Sequence, residues 1–343
     1  MLFSTFGKTP NKNRLEKVKK SPNYKNGAFQ NPVPTETTLK DTSMLKMLRE
    51  FNNRPKTTAP QNPIPSIKTN LKELTADVPT IVWFGHSSYL IKSKDISILV
   101  DPVFNGYASP LPFFAKAFDG ADKYGVSDFG AIDILILTHD HYDHLDYPTI
   151  KAIAPKVKHI CTALGVGSHL EYWGVPAAKI TELDWWEEAT FFETIKLTAA
   201  PARHFSGRSL KRAQTLWSSF ALNIHGSHIY IGADSAYSPH FKTIGENFGG
   251  FDFALLECGQ YGKNWPYIHM TPEQTLEAAN DINTKVLMPV HWGKFTLALH
   301  AWDEPIKRLM AAKETYKGII TTPKIGEPVI LNKNYPNNRW WEF

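Results

Sequence analysis

The chain has 343 residues, 42% of them hydrophobic and 21% charged, with 10 Trp, 13 Tyr and 20 Phe; that is the balance of a globular protein with a substantial core, and it excludes wholesale disorder. No run of roughly 20 apolar residues occurs, so no membrane-spanning helix is expected, and two cysteines without C-x-x-C spacing exclude a disulfide framework. The formal net charge of +5 is mild and is concentrated near the start, where Lys8, Lys12, Arg14, Lys17, Lys19, Lys20 and Lys25 face only Glu16. Such a cluster is a solvated arm that can also meet an anionic membrane surface.

Residues 1–77 are rich in Lys, Asn, Pro and Thr, and prolines at 10, 22, 32, 34, 55, 60, 63 and 65 interrupt regular structure. The expectation is an extended N-terminal arm, wrapped on the body or partly mobile, with one helix over 37–51 in which Leu45, Leu48 and Phe51 share a face. Deleting residues 1–70 is expected to spare the chemistry of the body, residues 78–343, while weakening action at an anionic lipid surface; if the arm instead braces the sandwich, the deletion abolishes folding. From Thr80 onward strands follow one another: TIVWFGHSSYLIKS as two, then DISILVDPVF, AIDILILT, KHICTAL, TIKLTAAPA, SSFALNIHG, SHIYIGADS, DFALLECG and KVLMPVHWG. Helices are predicted at YPTIKAIA, PHFKTIGENF and TPEQTLEAANDI, the last opening on Thr-Pro-Glu. Strands interleaved with helices, some strands short and paired, predict an α/β sandwich. Cys161 and Cys258 lie in apolar surroundings and read as small buried hydrophobes, which fits a reducing, cytoplasmic setting. The opening MLFSTFGKTPNKNR lacks the apolar run of a signal peptide.

The segment that carries chemistry is His139-Asp140-His141-Tyr142-Asp143-His144, directly after the apolar run IDILILT. Three imidazoles and two carboxylates in six residues are costly to bury without a partner. On a turn, alternate residues point to different sides, so His139 and His141 can serve one cation while Asp143 and His144 serve its neighbour. Imidazole nitrogen and carboxylate oxygen suit zinc first, with iron and manganese as alternatives. Three more apolar runs end on matching groups: His204 after KLTAAPA, Asp234 after HIYIGA and His291 after VLMPV.

HxHxDH followed by His204, Asp234 and His291 resembles the metallo-β-lactamase superfamily. The stretches WFGHSSYLI, LVDPVFNGYASP, THDHYDHLDY, ELDWWEE, TLWSSF, GADSAYSPHFKTIGENFGGFD and IHMTPEQTLEAANDINTKVLMPVHWGKF, across most of residues 80–305, are similar to the N-acyl-phosphatidylethanolamine-hydrolysing phospholipase D family. The resemblance implies an αββα sandwich with a dinuclear metal site on one edge. It implies that His139, His141 and His204 hold the first divalent ion, that Asp143, His144 and His291 hold the second, and that Asp234 bridges them. It further implies a hydroxide shared by the metals that attacks a phosphodiester, releasing an N-acylethanolamine and a phosphatidic acid. His269, in YIHMTPEQ, matches a family position beside the metals and is expected to touch the phosphate or protonate the leaving group; Asp143 and Asp234, as metal ligands, count with it as catalytic. The mammalian members carry Gln just before this His, where this chain has Ile268.

Asp101 orients a ligand or fixes a turn, and His86 reads as structural. Trp185 and Trp186 are an acyl wall or hairpin packing, and Arg203, Arg208, Lys211 and Arg212 attract an anionic substrate or lipid surface or form an exposed basic loop. Cys258, Gly259 and Gln260 follow a strand toward the pocket. Tyr107, Leu111–Phe114, Trp265, Ile268 and Met270 are expected to wall an apolar groove. The expected partner is a phospholipid or another phosphate ester, and no nucleic acid, since no appended binding module is evident. A sugar-phosphate lactonase or other small-ester hydrolase is the alternative activity, and a non-catalytic metal-binding scaffold the alternative of another kind.

Overall fold

The computed structural model describes residues 2–39, 43–112, 114–209 and 211–343. Positions 40–42 of the expected first helix and Phe113 of the expected apolar wall lie outside the described residues.

The N-terminal region carries α1 (Leu2–Thr5), α2 (Lys12–Lys19), a hairpin of β1 (Tyr24–Lys25) and β2 (Ala28–Phe29), and α3 (Met44–Asn52). Two seven-stranded sheets follow. The first orders β3 (Thr80–Trp83), β4 (Tyr89–Ser93), β5 (Ile96–Val100), β6 (Ile132–Leu137), β7 (Val157–Ala163) and β8 (Ile180–Leu183), with the late strand β16 (Pro328–Ile330) outside β3. The second orders β9 (Glu188–Phe191), β10 (Ile195–Ala200), β11 (Ser219–Ile224), β12 (Ser227–Ile231), β13 (Phe253–Glu257), β14 (Val286–Val290) and β15 (Ile319–Ile320). Helices α4 (Tyr147–Ile153), α5 (Gly167–Tyr172), α6 (His240–Phe248), α7 (Pro272–Asp281) and α8 (Glu304–Ala311) flank them.

Each sheet is antiparallel where hairpins link its strands, β3 to β5 and β9 to β12, and parallel from β5 to β8 and from β12 to β15. Parallel strands are covered on both faces and so read as unbroken apolar runs. All six residues of β6 and all five of β13 and of β14 are buried. One continuous hydrophobic cluster takes in residues of both sheets, which makes the body an α/β sandwich. The Thr-Pro-Glu start of α7 is a reciprocal cap: the Thr271 hydroxyl accepts the Gln274 N–H, and the Gln274 side chain accepts the Thr271 N–H. Among the described residues no helix is long and apolar enough to cross a membrane.

The described part of residues 2–77 lies along this body. Arg14 pairs with Glu171 at 2.6 Å and with Glu182, and Lys17 donates to the Glu182 carbonyl, so part of the basic cluster docks the arm. Val18, Phe29, Ile64 and Leu71 are buried in the main cluster. The α3 helix starts later than the expected 37–51 span, since residues 37–39 are not helical. Leu45 is 79% and Leu48 54% exposed, while Met47 faces the cavity described below.

Near residue 67 the arm fixes itself by a close approach to glycine. The Ile67 N–H donates to the Ile325 carbonyl at 2.8 Å, and Gly326 has φ +86°. A Cβ at Gly326 would stand 1.9 Å from the Ile67 carbonyl oxygen. Gly326→Ala therefore combines a disfavoured backbone with a backbone clash, and it is expected to cost about 3 kcal/mol. A denaturant midpoint indistinguishable from wild type would refute this.

Candidate metal centre

The strand ends of both sheets converge on one edge. The HxHxDH segment forms a turn between β6 and α4, in which His144 and Leu145 both donate to the His141 carbonyl. Asp146 caps α4 by accepting the Thr149 N–H and hydroxyl, which anchors the turn downstream. His86 follows β3, Asp101 follows β5, His204 lies in the loop after β10, Asp234 follows β12 and His291 follows β14. His86, Asp101 and His291 have φ of 54°, 38° and 66°. Left-handed backbone at three non-glycine positions is local strain of the kind that gathers at functional sites.

Two donor sets result. In the first, His139 Nε2 stands 3.0 Å from His141 Nδ1, which stands 3.2 Å from His204 Nε2. Asp234 Oδ2 lies 3.8 Å from His139 Nε2 and 3.7 Å from His204 Nε2. His204 Nδ1 must donate to the Ile268 carbonyl, 2.8 Å away, so Nε2 of the neutral ring presents a lone pair to the cluster. Donors about 2.0–2.2 Å from a tetrahedral ion lie about 3.3–3.6 Å from one another, and the observed separations bracket that edge. In the second set His144 Nε2 is 3.4 Å from Asp143 Oδ2 and 3.1 Å from Asp234 Oδ2, while His291 Nδ1 is 3.1 Å from Asp234 Oδ1. Each of the sets His139/His141/His204/Asp234 and His86/Asp143/His144/His291 brings its donor atoms within 4.8 Å of one another. His144 Nε2 and Asp234 Oδ1 are buried and close to these neighbours, yet neither has a hydrogen-bond partner among the described residues. Buried donors that crowd together without bonding one another suit a cation between them.

The electrostatics agree. Burial pulls His139, His204 and His291 well below the ordinary imidazole range and keeps them neutral, the form a metal requires. Burial also opposes charge on Asp143 and Asp234, but the imidazoles, His144 foremost, hold both carboxylates well below their usual range. His144 moves upward in spite of burial because Asp234 and Asp143 face it. The edge thus carries a negative surplus that attracts positive charge.

The surrounding shell fixes the rings. Asp101 accepts the Thr138 N–H at 2.9 Å and hydroxyl at 2.6 Å and meets His144 Nδ1 at 2.8 Å, the arrangement that orients a ligand. His86 is drawn into the centre, with Nε2 2.8 Å from Asp143 and its ring 4.1 Å from that of His291. His269 packs against the His204 and His291 rings, and its Nδ1 lies 2.7 Å from Glu257 Oε2. Glu257 escaped the reading of the sequence. It closes the wholly buried strand β13 and accepts the Ser235 N–H, and its signal was an acid ending an apolar run, as Asp234 does. Burial raises Glu257, and Glu257 in turn raises His269 against the pull of burial, so the pair retains a proton through neutrality.

A cavity of about 230 Å³ opens on the donors. Met47, Phe205, Trp265, Ile268 and Leu297 form its apolar wall, joined by Thr37, Thr38, Arg212 and Gln260. Several expected wall residues are absent from it. Met270 is in the core, and Phe114 lines a separate groove with Phe51. Tyr107 pairs with Lys116 in a loop, and neither it nor Leu111 lines the cavity. Trp185 donates to the Trp217 carbonyl from a buried position, and Trp186 stacks on Phe248, so these two pack the hairpin region. The basic loop divides: Arg212 lines the cavity, Arg203 lies over Tyr267, and Arg208 is only 4% exposed.

Residues 97–292 match the Beta-lactamase superfamily domain. An uncharacterized protein of Mycobacterium tuberculosis is 37% identical across 94% of this chain and 88% of its own length. The N-acyl-phosphatidylethanolamine-hydrolyzing phospholipase D 1 of Caenorhabditis elegans is 28% identical across 68% of this chain and 70% of its own length. Among solved structures, the metallo hydrolase Igni18 from Ignicoccus hospitalis superposes with a TM-score of 0.57 at 18% identity, covering 74% of this chain and 97% of that one. With the sandwich, the strand-end donors and the match over residues 97–292 in agreement, the chain belongs to the metallo-β-lactamase superfamily.

Proposed function

We propose that this metal-dependent hydrolase cleaves a phosphodiester, with N-acyl-phosphatidylethanolamine as the substrate class and an N-acylethanolamine and a phosphatidic acid as products. The observation that carries the reading is a carboxylate, Asp234, standing between two donor sets beside an apolar cavity whose lining includes Arg212. In this reading His139, His141 and His204 hold one divalent ion, Asp143, His144 and His291 hold the other, and Asp234 is shared. Zinc is the first choice for such donors and iron or manganese the next. Two such ions, when bound, lower the pKa of a shared water toward neutrality and offset charge on phosphate oxygens.

The chain's own groups do the rest. Arg212 meets the phosphate, and Asp143 and Asp234 keep their charge to balance the cations. His269, tied at Nδ1 to Glu257, uses Nε2 to hand a proton to the departing alkoxide. Met47, Phe205, Trp265, Ile268 and Leu297 take the acyl chain. The outward Leu45 and Leu48 of α3, with Lys46 and Arg49 on the same helix, suit contact with an anionic lipid surface.

The test is a series of synthetic phosphodiesters of rising acyl length, assayed below micelle-forming concentrations with metal-quantified protein. The expected result is a kcat/KM that climbs with each methylene, by about fourfold at most. The modest cavity volume of about 230 Å³ favours the second reading, a small ester or sugar-phosphate lactone. Equal or faster turnover of such a substrate would establish that reading instead. Less than one metal per chain would favour a binding scaffold.

A further inference from the structure

The loop that carries His204 belongs to neither sheet, so the backbone N–H and C=O of this residue need partners from elsewhere. A single side chain of the N-terminal arm provides both. Asn31 donates from Nδ2 to the His204 carbonyl at 2.7 Å and accepts the His204 N–H at Oδ1 at 3.0 Å. The same Oδ1 accepts from Trp217 Nε1 at 3.2 Å, a third contact on the one amide. Pro32 follows immediately and biases Asn31 toward extended backbone. The ring of His204 is tied at its other end by the Ile268 carbonyl. Asn31 and His204 are 173 positions apart in the chain.

We infer that Asn31 is a positioning residue for the metal centre: its amide pairs with the His204 backbone as a neighbouring strand would, and so sets where His204 Nε2 stands relative to His139 and His141. The inference rests on the reading of His204 as a metal ligand. Only a primary amide makes both contacts from one group, since a carboxylate turns an oxygen toward the His204 carbonyl and a hydroxyl is too short to span the pair. The arm is thereby part of the site, in contrast to the dispensable role that its composition suggested. Thr37, Thr38 and Met47 extend its contribution to the cavity wall.

The test compares full-length wild type with Asn31→Ala, the isosteric Asn31→Asp and, as an arm-docking control, Arg14→Ala, which loosens the pairs to Glu171 and Glu182. Each is measured for metals per chain, for metal retention against a chelator and for the visible spectrum of the cobalt(II)-loaded protein. Both Asn31 variants should lose affinity by roughly 10- to 100-fold, with a shifted cobalt spectrum, while Arg14→Ala matches wild type. Asn31 variants with wild-type retention and spectrum would overturn the inference, and so would an Arg14→Ala loss of equal size. A wild type that binds no metal would overturn the reading of the site and this inference with it; a wild type that binds two, beside unaffected Asn31 variants, would overturn this inference alone.

Discussion

Asp234→Asn is expected to lower turnover roughly a thousandfold or more while leaving the fold in place. The carboxylate has Oδ1 3.1 Å from His291 and Oδ2 3.1 Å from His144, with the first donor set beyond, so its two oxygens address both sets at once. Asparagine keeps the shape, but it removes the charge and turns an N–H toward one set, where a cation would be repelled. Metal content should fall from two toward one per chain. Circular dichroism and a denaturant midpoint check the fold, and elemental analysis checks the metals. An Asp234→Asn protein with two metals and undiminished turnover would refute the shared-carboxylate assignment.

Arg208→Met is the substitution expected to do most harm to stability, at about 3 kcal/mol or more. The guanidinium is buried and donates through Nη1 to the carbonyls of Asp140 at 2.7 Å and Leu145 at 2.6 Å, and through Nε and Nη2 to the Thr5 carbonyl. Its Cζ lies 4.1 Å from the centre of the Tyr142 ring and 5.2 Å from that of Trp173. Burial works against its charge, but guanidinium stays protonated, and Tyr142, Asp140, Asp146 and Asp143 support it through space. Methionine would leave three carbonyls without this donor and loosen the turn that bears His139, His141, Asp143 and His144. Arg208→Lys should rescue little, because one ammonium cannot reproduce a planar fork that reaches both the turn and the arm. A lysine variant with wild-type midpoint and turnover would remove the claim.

These two residues also mark how far the sequence could be read. Asp234 was legible because it ends an apolar run, as His204 and His291 do, and the dense HxHxDH turn gave those runs a common destination. Arg208 was misread as exposed, since a basic stretch around RSLKR looks solvated and nothing local announces the carbonyls waiting for it. Glu257 sits alone at the end of β13 with its partner His269 on another loop, so no spacing joins them. Asn31 is more remote still, an ordinary amide in a proline-rich arm whose meaning depends on a loop 173 residues away. The periodicity in residues 37–51 identified an amphipathic helix, but periodicity cannot say which way the apolar face turns, and Leu45 and Leu48 turn outward. Strands fared better, because burial on both faces imposes an apolar run whatever the neighbours are.

The placement of β16 beside β3 has a consequence for the order of events during synthesis. β3 pairs with β4 on one side and with β16 on the other, with Val329 opposite Ile81 and Pro328 opposite Val82. Roughly 240 residues must be translated after Trp83 before Pro328 appears, which takes about 12–50 s at about 5–20 residues per second. Throughout that interval the outer edge of β3 offers unpaired backbone N–H and C=O groups to any strand within reach. The first sheet is therefore open at the β3 side until Pro328–Ile330 have emerged, and that interval is when a chaperone protects the nascent chain or a second copy captures it.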